Sequence, residues 1–211
     1  MSEKVENKAL AVSEVFYSIQ GEGGQSGLPM VFIRLRGCSA KNACYTSGVI
    51  CDTEFESGQT LTLDELRKYI EIIAPVCKTL LWTGGEPLDQ LDDEILNYFK
   101  EYGYKNSLET SGVKSFHPFV GSFDYVTLSP KVAEHVIKKH YGGEAVDELR
   151  YVRHQGQEIP RPVVNSRRWY ISPHFDGQEL NLDNLDHCLT LIKRHPTWRL
   201  SLQIHKLINV L

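Results

Sequence analysis

Five cysteines stand in the 211-residue chain, and three of them, Cys38, Cys44 and Cys51, fall in one short stretch. Thiolates are soft ligands that suit iron–sulfur clusters or zinc. The loop Cys38-Ser-Ala-Lys-Asn-Ala-Cys44-Tyr-Thr-Ser-Gly-Val-Ile-Cys51 is long and polar enough to wrap a cluster. Three thiolates on a cluster of four irons leave one iron open to a further ligand. Structural zinc would call for a fourth protein ligand, and none of the eight histidines lies in this loop. An odd cysteine count, with no apolar leader in the opening MSEKVENKAL, argues against a disulfide framework and for a cytoplasmic location.

Two further features carry chemistry. Gly84-Gly85-Glu86-Pro87 sets two glycines, which let a backbone approach a ligand closely, beside a carboxylate. Arg34 sits inside an apolar run, Val31 to Leu35, where an unpaired charge is costly. Its planar fork suits a carboxylate, either of a ligand or of a structural ion pair.

The elements that must position these residues can be read from pattern. Glu14–Ile19, Val31–Leu35, Thr79–Trp82, Asn106–Glu109, Tyr125–Leu128, Glu148–Val152, Trp169–Ile171 and Trp198–Ile204 read as strands. Thr62-Leu-Asp-Glu65 is a capping box opening a helix to about Ala74. Asp92–Tyr102 is a second helix, stopped by Gly103, and Leu182 to Ile192 marks a third. Strands alternating with helices imply a mainly parallel sheet with right-handed crossovers. About six such units make an α/β partial barrel, since a full eight-unit barrel needs about 250 residues. Residues 1–12 are expected as a loose N-terminal segment, and 13–211 as one domain with an expanded loop at 38–51. The site should lie where the strands end. Cys38, Thr83–Pro87 and Ser129-Pro-Lys131 all follow strands.

Composition narrows the class. The net charge of −4, without a basic block, is unlike that of a non-specific nucleic-acid binder. No stretch approaches the ~20 apolar residues of a membrane span.

With these motifs in order, the chain resembles the 7-carboxy-7-deazaguanine synthase family of radical S-adenosylmethionine (SAM) enzymes. The resemblance runs through Phe16-Tyr-Ser-Ile-Gln-Gly-Glu-Gly23, Gly27-Leu-Pro29, Phe32-Ile-Arg-Leu-Arg-Gly-Cys38 and Cys51-Asp-Thr53. It continues through Thr83-Gly-Gly-Glu-Pro87, Leu108-Glu-Thr-Ser-Gly112, Leu128-Ser-Pro-Lys131, Glu148-Leu-Arg150 and Trp198-Arg-Leu-Ser-Leu-Gln-Ile-His-Lys206. One departure stands out. Five and then six residues separate the cysteines, where radical SAM enzymes usually place three and then two. Cys44 is the second ligand by elimination, because Cys77 and Cys188 fall in or beside regular elements.

The resemblance implies conversion of 6-carboxy-5,6,7,8-tetrahydropterin to 7-carboxy-7-deazaguanine with loss of ammonia, in queuosine-type deazapurine biosynthesis. It implies a [4Fe-4S] cluster on Cys38, Cys44 and Cys51, and Mg²⁺ on Thr53. SAM contacts are implied at Ile50, Asp52, Gly84, Gly85, Glu86, Ser129, Pro130, Lys131, Ser172 and Pro173. Substrate contacts are implied at Ile19, Gln20, Gly21, Glu22, Arg34, Thr83 and Leu211. Radical chemistry belongs to the cofactors, so no side chain is named as a general base. His205 is expected to be structural or supporting rather than a proton shuttle. The implied partners are a reductant such as flavodoxin or ferredoxin and a second copy of the chain in a homodimer. Two alternatives stay open: another radical SAM enzyme, such as a glycyl-radical activase, and a non-catalytic protein holding zinc on three cysteines.

Overall fold

The computed structural model describes residues 3–46, 55–119 and 121–210. Nine strands form one sheet in the order β11-β8-β7-β6-β5-β4-β2-β1-β3. They are β1 (Ala9–Ile19), β2 (Pro29–Leu35), β3 (Gln59–Thr62), β4 (Thr79–Gly84), β5 (Lys105–Thr110), β6 (Tyr125–Leu128), β7 (Ala145–Arg153), β8 (Asn165–Pro173) and β11 (Trp198–Leu200). Two-residue strands β9 (Phe175–Asp176) and β10 (Glu179–Leu180) pair separately. The helices are α1 (Glu3–Glu6), α2 (Lys41–Thr46), α3 (Leu63–Ile73), α4 (Asp93–Glu101), α5 (Glu134–Tyr141), α6 (Leu182–Arg194) and α7 (Ile204–Leu207).

Every pairing from β2 across to β11 is parallel, so seven strands run in one direction, one more than the sequence pattern suggests. β1 lies antiparallel to both β2 and β3. The sheet has two ends and does not close, as a partial barrel requires. Its centre reads as parallel strands do, with contiguous apolar residues rather than alternation: Leu80, Leu81 and Trp82 of β4 are all buried.

Local chemistry sets the helix ends. The capping box at Thr62 forms in full, Thr62 Oγ1 accepting from the Glu65 N–H and Glu65 accepting from the Thr62 N–H. Leu63, Leu66 and Ile70 then face the core. Asp92 caps α4 by accepting from the Ile95 N–H at 3.0 Å, and Gly103, at φ +78°, turns the chain just beyond it. Asn181 caps α6, whose Cys188 is fully buried.

The structure departs from the sequence pattern at both ends. β1 begins at Ala9 rather than Glu14, and Leu10 and Val12 are core residues. The segment expected to be loose is thus largely built in, with Lys8 paired to Asp92 and Glu94. At the other end the final strand stops at Leu200, residues 201–203 form no regular element, and Ile204 opens α7. Helices α2 and α5 and strand β3 carry too few apolar residues to have announced themselves.

Substituting Thr62→Ala removes the cap acceptor and should lower stability by about 1 kcal/mol. Urea denaturation measures this; an unmoved midpoint would show that the cap contributes nothing.

Candidate active site

All seven parallel strands end on one rim, where Cys38, Gly84, Gly85, Ser129, Lys131, Ser172 and Pro173 follow or close their strands, whereas the Gln20–Glu22 turn follows β1 beside the start of β2. The turn after β4 locks into the start of the cysteine loop after β2. The Gly85 N–H donates to the Leu35 carbonyl at 3.0 Å, and the Glu86 N–H donates to the Gly37 carbonyl at 3.1 Å. Gly84 is at φ +103°, a region that favours glycine. A Cβ on Gly85 would lie 1.6 Å from the Gly37 oxygen and 3.2 Å from Cys38 Cβ. These glycines therefore let the turn and the cysteine loop touch backbone to backbone.

The loop itself is closed at its base. The Gly37 N–H donates to the Phe55 carbonyl at 2.8 Å, tying the residue before Cys38 to the residue where the described chain resumes. Cys38 is half-buried. Cys44 is half-buried too, but it sits on α2, with its N–H bonded to Ala40. Cys51, Thr53, Ile50, Asp52 and Leu211 lie outside the described residues. Among the described residues no group of three His, Cys, Asp or Glu side chains is assembled as a metal site. The two remaining cysteines are core thiols. Cys77 is buried within 3.6 Å of the Pro29 and Thr79 carbonyls, and burial pushes the Cys188 thiol up to about 11. Cys38 and Cys44 are thus the two thiols among the described residues that stand outside the core.

Glu86 does not face outward as its motif suggests. It is fully buried, accepting from the Thr110 hydroxyl at 2.7 Å, from the Ser111 N–H at 3.0 Å, from the Ser111 hydroxyl, and from the Leu88 N–H at 3.3 Å. Burial pushes its carboxyl above the ordinary range, and these donors oppose that rise. Its part is to brace the turn against the end of β5, while half-buried Gly84 and Gly85 present backbone at the rim. The next strand end joins the same brace. The Ser129 N–H donates to Thr110 and the Lys131 N–H to Ser111. Further along the rim, Ser172 and Pro173 end β8 and are buried. The Ser172 hydroxyl has no hydrogen-bond partner among the described residues. Such an orphaned group suits a ligand contact.

Beside this rim opens a cleft of about 510 Å³. Ile19, Gln20, Glu22, Arg34 and Thr83, all singled out from sequence, line it. The Gln20–Leu28 turn is pinned from several sides. Gln20 exchanges backbone bonds with Leu28 and Gly27, and the Gly21 carbonyl accepts from the Ile204 N–H of α7. The Gly23 N–H donates to Ser201 Oγ, and the Gly24 N–H donates to Glu148 at 2.7 Å. His205 packs so closely on Gly21 that a Cβ there would lie 2.0 Å from its Nδ1.

A buried arginine organises the cleft wall. Arg150 is 5% exposed and faces three carboxylates: Glu22 at 2.6 Å, Glu109 at 2.5 Å and Glu148 at 3.6 Å. Burial alone would weaken its charge, but the three carboxylates outweigh that and hold the guanidinium protonated. Glu109 also accepts from Gln20 Nε2 at 3.2 Å and from the Thr83 hydroxyl at 3.3 Å. Burial pushes Glu148 upward, with Arg150 pulling the other way. Glu109, Glu148 and Arg150 were not among the residues chosen from sequence. A signal was available: Glu148-Leu-Arg150 puts two opposite charges on one face of a strand, flanking an apolar Leu149. Arg34 itself is ion-paired with Glu14 at 2.9 Å and lies 5.0 Å from the Phe16 ring centroid. Arg34 thus carries an ion pair while standing in the cleft lining.

Comparison with known proteins follows the same lines. The chain is 37% identical over 203 residues to 7-carboxy-7-deazaguanine synthase of Bacteroides thetaiotaomicron, covering 94% of this chain and 97% of that protein. It is 32% identical to the protein of that name from Burkholderia multivorans, covering 95% and 98%. The solved structure of QueE from Escherichia coli shares the fold, with a TM-score of 0.68 over 95% of this chain and 98% of that one, at 18% identity. No family model matches the chain.

Two outcomes are expected. Gly85→Ala forces a Cβ onto the Gly37 carbonyl and should cost about 1–3 kcal/mol; a melting temperature equal to that of the wild type would contradict the interlock. Because the folded-state pKa of Glu86 is raised, the folded chain binds more protons than the unfolded one above the ordinary glutamate range of about 4.3. Stability should therefore fall as pH rises from there through the raised value. Glu86→Gln should flatten that slope in denaturation curves taken across the window, and an undiminished slope would refute the assignment.

Proposed function

The chain belongs to the 7-carboxy-7-deazaguanine synthase family, and on that premise we propose that it is a radical SAM enzyme converting 6-carboxy-5,6,7,8-tetrahydropterin to 7-carboxy-7-deazaguanine and ammonia. Product plus ammonia accounts for every atom of the substrate, so the conversion needs no net oxidant.

The observation that carries this reading is the chemistry of the cleft. Carboxylates of Glu22 and Glu109 line it together with the cationic Arg34 and Lys206. A pterin offers N–H donors along its pyrimidine edge, which suit carboxylates. Its ring carboxylate suits a guanidinium. Phe16 and Phe32, stacked 4.9 Å apart, add an aromatic surface for a flat ring. On binding, Arg34 would exchange Glu14 for the substrate carboxylate.

Cys38, Cys44 and Cys51 would hold the cluster. The Gly84–Gly85 backbone, Ser129–Lys131, Ser172, Pro173, Ile50 and Asp52 would hold SAM, and Thr53 would hold Mg²⁺. When bound, cluster and SAM supply a carbon radical able to take hydrogen from the substrate. The protein's own residues do the placing. The interlocked turn and cysteine loop fix one partner, and the Gln20–Glu22 turn fixes the other, so the reacting atoms meet in a set geometry. The orphaned Ser172 hydroxyl gains a partner when SAM is bound.

Anaerobic reconstitution with iron and sulfide should give a brown protein with [4Fe-4S] absorption that turns over the carboxypterin with SAM and a reductant. A colourless zinc protein, or a cluster protein inert toward the pterin, would refute the reading. Cys44→Ala should lose cluster iron and activity together; retention of both would remove Cys44 from the ligand set.

A further inference from the structure

We propose that Arg150 is the positioning residue that turns Glu22 and Glu109 into a fixed pair of acceptors, and that this pair makes the cleft select a ligand edge with an exocyclic amino group over one with a carbonyl there. The inference rests on the pterin reading above.

The geometry is specific. Glu22 arrives from the turn after β1, Glu109 from β5, and Glu148 and Arg150 from β7. No two of the carboxylates come from the same element as one another, yet one guanidinium meets all three. Glu22 and Glu109 keep 18% and 21% of their side-chain surface exposed and line the cleft, whereas Glu148 is 2% exposed and faces inward. Glu148 binds the Gly24 N–H and the Tyr125 hydroxyl. Arg150 therefore meets the two cleft carboxylates at 2.6 and 2.5 Å, while Glu148, 3.6 Å away, faces it only as an ion-pair partner from the scaffold. By occupying Glu109 Oε1 and Glu22 Oε2 it fixes how each carboxylate lies, while Thr83 and Gln20 complete the hold on Glu109.

A fixed pair of anionic acceptors discriminates by hydrogen-bond polarity. A 2-amino group donates to a carboxylate. A 2-oxo group at the same place turns lone pairs toward it and is repelled by the half-buried anion. Without the guanidinium, three carboxyl groups face one another, and one must take up a proton or swing away. The pair then no longer presents acceptors alone, and the preference collapses. A residue that only supported the fold would weaken both ligands alike.

The test is calorimetric binding to the anaerobic holoenzyme with SAM present, using 6-carboxypterin and 6-carboxylumazine, which differ in the amino and oxo groups. The wild type should prefer the pterin by at least about tenfold, the lower end for a charged hydrogen bond. Arg150→Met should lose most of the affinity for the pterin, change that for the lumazine by less than about threefold, and so erase the preference. Arg150→Lys keeps a cation and should retain most of it, which decides the matter if the Met variant does not fold. Equal losses for both ligands, or a Lys variant without preference, would overturn the proposal. A wild type that binds neither ligand would instead overturn the pterin reading.

Discussion

Two backbone hydrogen bonds beyond the end of the β2–β4 ladder, Gly85 to Leu35 and Glu86 to Gly37, set the geometry of the whole rim. They are possible because no side chain stands between the two turns. With that contact made, the start of the cysteine loop and the Gly-Gly-Glu turn form one rigid corner. Glu86 then reaches across to Thr110 and Ser111, and Ser129 and Lys131 bond onto the same segment. The brace passes from β4 to β5 to β6 without leaving the rim. Parallel strands make this possible, since each delivers its following turn to the same edge.

The cleft is built on a different economy. Its wall gathers three carboxylates around one buried guanidinium, an arrangement that is costly unless each charge is partnered. Arg150 supplies the common partner, and the amides and hydroxyls of Gln20, Thr83, Gly24 and Tyr125 fill the remaining positions. Toward the protein the network leaves one buried oxygen, Glu148 Oε1, with only the 3.6 Å ion-pair contact to Arg150, and toward the cleft it is incomplete. That incompleteness is what a polar ring can use.

Much of this was legible in the sequence. The capping box at Thr62, the apolar run of β4 and the stop at Gly103 announce their elements because local chemistry alone decides them. The cysteine cluster and the two glycines at 84 and 85 announce the rim. Other features were hidden for physical reasons. The pairing of β1 with β3 is long-range, so Leu10 and Val12 read as part of a polar tail although the sheet covers them. Glu86 looks like an offered carboxylate until Thr110 and Ser111 are brought beneath it from another strand. The Arg150 quartet depends on three separate segments converging, which no single stretch displays. Cys44 lies on a helix too short and polar to show a period.

The arginine quartet also constrains how the chain can reach its folded state. A guanidinium cannot be taken out of water alone, so Arg150 is not stable in a partly assembled interior. β7 can bury it only when β5 is already beside β6 and the Gln20–Leu28 turn has docked. Burial of this charge set thus acts as a checkpoint on assembly. The cleft wall forms as a single cooperative unit, and an intermediate with half of it in place is disfavoured from either side.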